Sequence, residues 1–161
     1  MNLANQCSAY TTIEQFKTLD ICLIDTSSLI YLKRLGIAEK TGHSLHLYTI
    51  PEVVREFGTM PDYIRLLSVN IPVSGVDKKL LACAIRSHWP LISEDKDLLK
   101  AMNHHGLTYF NALMMIYFLF FKGIITPPEC RALVTELKTF ARYSRHIWTY
   151  GYVLAEGLGI K

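Results

Sequence analysis

Ile21-Cys22-Leu23-Ile24-Asp25-Thr26-Ser27-Ser28 is the stretch that decides how the rest of the chain is read. Four apolar residues run straight into a carboxylate. Small hydroxyl residues follow, and then the apolar-periodic segment from Leu29 to Leu35. A short unbroken apolar run is the signature of a strand buried on both faces, as in parallel sheets. Thr and Ser immediately after it are helix-start residues. Asp25 is therefore expected at the C-terminal tip of a central strand, with a helix leaving at once. In open α/β sheets that edge is where ligands bind. A charge placed there is costly unless it is paired or holds a metal. The same residue also suits a plain helix N-cap, and this stretch alone leaves both roles open.

On either side of it, strands alternate with helices. Upstream, Thr11-Thr12-Ile13-Glu14 has capping-box spacing and predicts a short helix to about Leu19. Downstream, the helix after Asp25 runs to Leu35, with Gly36 as its stop. Leu45 to Ile50 reads as a second strand, and Pro51 opens a helix that carries Glu52 and Glu56 and ends near Gly58. Asp62 to Leu67 reads as another short helix, and Ser68 to Val73 as a weaker strand that Pro72 assigns to an edge. Asp77 opens a helix to about His88. Pro90 to Ser93 is a further strand, followed by Glu94-Asp95-Lys96-Asp97 and a helix ending near Gly106. Leu107 to Phe110 is a last strand, and helices start at Asn111, at Pro127 and near Ser144. Such alternation implies an α/β fold with a parallel sheet and right-handed crossovers.

Composition limits the classes of function. The 161 residues suit one domain with a proper core. Half are apolar and 19% are charged, which predicts folding rather than disorder. The net charge of +3, from 17 basic and 14 acidic residues, permits a nucleic-acid partner without demanding one. Cys7, Cys22, Cys83 and Cys130 form no C-x-x-C pair and read as buried free thiols of a reducing cytoplasm. No basic n-region or long apolar h-region marks a signal peptide. The strongest apolar run, Ala112 to Phe121, has ten residues, against the roughly 20 that span a bilayer. It predicts a core helix and no membrane association.

The chemistry lies in how the acids recur. Asp25 follows the first strand, Glu56 sits one turn inside the helix after the second, Asp77 starts the helix after the weak strand, and Asp95 follows the strand ending at Ser93. In a parallel sheet all four places lie on one edge. Converging carboxylates repel one another, so their natural partner is a divalent cation, and oxygen-only ligands point to Mg²⁺ or Mn²⁺. Such an ion activates water and stabilises charge on a phosphodiester.

Four motifs in order resemble the PIN-domain nucleases, including the VapC-like ribonuclease toxins of toxin–antitoxin modules. They are the strand-Asp-Thr-Ser run at Asp25, Pro51-Glu52-Val53-Val54-Arg55-Glu56-Phe57, Asp77 with Leu80, Ala82 and Ala84 behind it, and Ser93-Glu94-Asp95-Lys96-Asp97-Leu98. The likeness covers roughly residues 20–126. It implies a single PIN-like domain over 1–161, a three-layer sandwich with a central parallel sheet of four or five strands flanked by helices, and C-terminal helices over 127–157. It implies a Mg²⁺- or Mn²⁺-dependent endoribonuclease that hydrolyses RNA phosphodiester bonds, usually as a homodimer, held by an antitoxin protein in toxin members. The metal ligands and catalytic acids it implies are Asp25, Glu56, Asp77 and Asp95. Asp97 and Glu94 are close enough to assist, and Thr26 and Ser93 support: Ser93 by bonding a carboxylate or a water on the ion.

Each of these residues also has a plainer reading. Glu52 suits a helix-dipole role better than a ligand role, although it stands four residues before Glu56 on nearly the same face. Lys78 and Lys79 read as solvated, with a phosphate contact as the sharper alternative. The last helix, with Arg142, Tyr143, Arg145, His146, Trp148, Tyr150 and Tyr152, mixes basic and aromatic residues as RNA-binding surfaces do, or as any amphipathic docking helix does. The helix from Asn111 to Lys122 has no polar face, so other helices of the chain or a second subunit must cover it, and a small domain that must also bury its sheet favours the second subunit. A catalytically silent PIN-fold binding module is the competing class. Phosphoryl transfer to Asp25 ranks last, because the haloacid-dehalogenase pattern has a second Asp where this chain has Ser27.

Overall fold

The computed structural model describes the backbone of residues 3–161 and the side chains of residues 8–161. The side chain of Cys7 lies outside the described residues. The elements in chain order are α1 (Leu3–Thr18), β1 (Ile21–Ile24), α2 (Thr26–Arg34), α3 (Ala38–Ser44), β2 (His46–Thr49), α4 (Pro51–Phe57) and β3 (Ile64–Leu66). Then come α5 (Val76–Ser87), β4 (Leu91–Ile92), α6 (Lys96–His104), β5 (Tyr109–Phe110), α7 (Ala112–Phe121), α8 (Pro127–Lys138) and α9 (Arg145–Gly157). They divide into two compact units, Asp20–Ala112 and the remainder.

In the unit Asp20–Ala112 the described strands form one five-stranded sheet, parallel throughout, in the order β3-β2-β1-β4-β5. Cys22, Leu23 and Ile24 are fully buried at its centre, as the unbroken apolar run requires. The chain walks outward from β1 to β3, returns through α5 to β4 on the other side of β1, and walks outward again to β5. With right-handed crossovers, that reversal puts α2, α3 and α4 on one face and α5 and α6 on the other. The packing agrees: α2 contacts α3 and α4, and α5 contacts α6. The order reverses between β1 and β4, so the ligand crevice of this topology opens at their C-terminal ends. There the Asp25 N–H donates to the Ile92 carbonyl at 3.0 Å.

Two local expectations give way to the structure, and one helix appears where none was expected. Asp62 to Leu67 does not make a helix; Ile64–Leu66 is β3, in register with Leu47, Tyr48 and Thr49. A short apolar run fits either element by periodicity, and an open edge beside β2 settles it. Ser68 to Val73 is not a strand. The ladder stops where the Leu67 N–H donates to the Thr49 carbonyl at 2.8 Å, and Pro72 has no N–H to extend it. Helix α3 had no sequence signal; Thr41 and Gly42 within it are poor helix formers.

The other unit contains α1, α8, α9 and α7 from Leu113 onward. Helix α1 is longer than Thr11-Thr12-Ile13-Glu14 suggested, and that motif lies inside it. It packs on α9, with Thr12 hydrogen-bonded to the Tyr150 hydroxyl and the Phe16 ring 5.5 Å from that of Phe118. A full capping box at Thr126 and Glu129, with Pro127 behind the cap, starts α8. In α7, Leu113, Met115, Ile116, Tyr117, Phe118 and Leu119 are buried within the single chain. Of the two covers its composition allowed, the one inside the chain is present. No helix among the described residues is long and apolar enough to cross a membrane. Cys22, Cys83 and Cys130 are free and buried.

Candidate active site

The end of β1 delivers Asp25 to the crevice as the N-cap of α2. The residue is 5% exposed, and its carboxylate accepts from the Thr26 N–H at 2.6 Å, the Ser93 hydroxyl at 2.9 Å and the Ser27 hydroxyl at 3.3 Å. Burial pushes this carboxyl above the ordinary range. The Ser93, Thr26 and Ser27 hydrogen bonds oppose the shift, and the charge of Glu56 adds to it. Capping and membership of the acid group are thus compatible roles of one side chain.

Glu56 is exposed in the last turn of α4 and accepts from the Thr26 hydroxyl at 2.6 Å. Thr26 therefore joins two acids, by its N–H and its hydroxyl. Asp95 caps α6, accepting from the Leu98 N–H at 2.8 Å, while its own N–H donates to the Ser93 oxygen at 3.0 Å. Ser93, completely buried, thereby links Asp25 to Asp95. Asp77 is exposed in the first turn of α5. Its carboxyl is also raised, first by partial burial and then by the charges of Asp25, Asp95 and Glu56. Its surroundings therefore bring the four acids together electrostatically, from the end of β1, the last turn of α4 and the starts of α5 and α6.

The neighbouring acids are placed differently. Asp97 is exposed on α6 and takes no part in the hydrogen bonds or charge contacts described for the four. Glu94 accepts from the Ser28 hydroxyl at 3.1 Å and from the Ala112 N–H at 2.7 Å, so it ties the end of β4 to α2 and to the start of α7. Glu52 forms an ion pair with Lys79 on α5 and a longer one with Arg55 at 3.7 Å; the bond from Lys79 holds its carboxyl below the ordinary range. Lys79 is thus paired, not solvated, and Lys78 is exposed. The tying roles of Ser27, Ser28 and Glu94 were missed from sequence. Three successive hydroxyl residues after Asp25 are more than one cap needs, and that surplus was the available signal.

Hard oxygen donors, with the carboxyls of Asp25 and Asp77 raised by burial and by neighbouring negative charge, suit a divalent cation in charge and chemistry. In the described side chains, however, no three His, Cys, Asp or Glu groups close on one point as metal ligands. Each of Asp25, Glu56 and Asp95 is instead held by hydroxyl or backbone donors.

Fold and site together define an open, doubly wound α/β domain with an acidic cluster at its switch point. No family model matches the chain, and no curated protein matches it. It is similar to the solved structure of a PilT N-terminus domain protein from the hyperthermophilic archaeon Sulfolobus solfataricus P2, with 17% identity and a TM-score of 0.46 over 62% of this chain and 93% of that one.

Proposed function

We propose that this chain is a metal-dependent endoribonuclease of PIN type. The observation that carries the reading is the linkage of Asp25 to Glu56 through Thr26 and to Asp95 through Ser93 at the β1/β4 switch point, with Asp77 near enough to feel the charges of all three. The four motifs that resemble PIN nucleases fall on these same residues. Asp25, Glu56, Asp77 and Asp95 would hold Mg²⁺ or Mn²⁺, which when bound acidifies water and stabilises charge on a phosphodiester. Ser93 and Thr26 orient the carboxylates, and the site needs no side-chain nucleophile. Within this reading two copies pair, and an antitoxin protein restrains the enzyme if it is the toxin of such a module.

The absence of three converged ligands among the described side chains favours a second reading, a silent PIN-fold binding module. Incubation of single-stranded and looped RNA with the protein, with Mn²⁺ or with chelator, separates the two. Under the nuclease reading only the Mn²⁺ sample cleaves. Asp25→Asn and Glu56→Gln each lose about a hundredfold or more, and Glu52→Gln loses far less. Absence of cleavage together with unchanged thermal stability on adding Mn²⁺ would establish the silent module.

A further inference from the structure

Beside the acids, the unit Asp20–Ala112 carries a groove of about 370 Å³ that the chemistry above does not use. Pro51, Glu52, Val69, Asn70, Ile71 and Lys79 line it. Glu52 stands one turn before Glu56 on the same side of α4, so the groove starts about 6 Å along the helix from an acid of the site. Its lining changes character from that of the cluster. Pro51, Val69 and Ile71 offer apolar surface, and Val69 is 37% exposed. The Glu52–Lys79 ion pair is neutral as a unit and does not repel a strand as the four carboxylates do.

The chain over 68–71 has no regular secondary structure. Asn70 is exposed there, and its amide has both an acceptor and a donor to present to a ligand. A flat group with apolar faces and a mixed donor–acceptor edge is a nucleobase, and unstacked bases are how single-stranded RNA is read. The volume lies in the range of small-ligand sites.

The geometry points to a base-recognition subsite, in which this groove takes one unstacked base of the RNA strand next to the phosphate at the acids, with Asn70 on the base edge and Val69 and Ile71 against its face. The assignment rests on the ribonuclease reading, and its test is binding rather than cleavage. Asp25→Asn protein, which keeps its helix cap, is titrated into labelled single-stranded A, C and U oligonucleotides of about twelve residues, followed by fluorescence anisotropy. The expected result is a spread of about tenfold or more among the three affinities. Asn70→Ala in that background, and separately Val69→Trp, which fills the groove, should each reduce the spread below about threefold. Equal affinities in the parent, a spread untouched by both substitutions, or no RNA binding would overturn the subsite. Wild-type protein that discriminates in binding yet never cleaves with Mn²⁺ would remove the ribonuclease reading and leave the groove standing.

Discussion

Asp77 and Asp25 are more easily protonated in the folded chain than in the unfolded one. The folded state therefore binds more protons over the interval between the ordinary carboxylate value and the raised one, and stability falls as pH rises through it. The full cost is present at neutral pH when no cation is bound. Asp77→Asn should accordingly raise the Tm of chelator-treated protein by about one to three degrees at neutral pH, an effect kept small by the exposure of Asp77. The gain should vanish near about pH 2.5, below the ordinary carboxylate value, where both states are protonated. Melting curves at the two pH values check this, and a lower Tm at neutral pH would show that the charge is compensated. Ser93 works in the opposite sense. Ser93→Ala removes a donor from the buried Asp25 carboxylate and the acceptor of the Asp95 N–H. Leaving such groups unsatisfied costs about 1–3 kcal/mol, visible as an earlier urea midpoint. It also moves the Asp25 carboxyl further up, so metal-free stability should fall more steeply with rising pH than in wild type.

Helix α3 shows how packing overrules propensity. Gly42 lies within it, where Ala is intrinsically better by roughly 1 kcal/mol. A Cβ at Gly42 would stand 2.5 Å from Cδ2 and 2.8 Å from Cβ of Tyr63. The near Cβ cannot swing away as a side-chain end could, so the backbone before β3 would have to move. Overpacking of this kind costs about 1–3 kcal/mol, more than the propensity gain returns. Gly42→Ala should therefore lower stability by about 1 kcal/mol net, measured by thermal or urea unfolding. A rise in Tm would mean that Tyr63 does not press on α3. The ion pair between Glu52 on α4 and Lys79 on α5 joins two helices that each carry an acid of the cluster. That link accounts for an acid at position 52 without a ligand role.

The chain as a unit must bury α7, ten residues without a charge. Tyr117 is 4% exposed, and burial pushes its hydroxyl well above the ordinary range. Tyr117→Ser should therefore unfold the protein, at a cost of about 3–5 kcal/mol, rather than dissociate an oligomer. Sedimentation of wild type at micromolar concentration, beside circular dichroism of the variant, decides this. A folded monomeric variant of a dimeric parent would place α7 in a subunit interface.

The strand at Ile21–Ile24, the acid at its tip, the Pro51 helix and the helix start at Pro127 were all legible in the residues, because each depends on a local rule: an unbroken apolar run, a cap, a proline at a first turn. The parallel sheet followed from their alternation. The edge strand was misplaced, since Asp62–Leu67 and Ser68–Val73 are equally short and only hydrogen bonds to β2 distinguish them. Helix α3 was invisible for the same reason, its stability coming from neighbours and not from its own residues. At the site, the positions of Asp25, Glu56, Asp77 and Asp95 could be proposed from chain order alone. Which hydroxyl holds which carboxylate could not, because Thr26 meets Glu56, and Ser93 meets Asp25, across 30 and 68 residues of chain. The first contact exists only once β2 pairs with β1 and α4 packs on α2, and the second only once the strand order reverses and sets β4 beside β1.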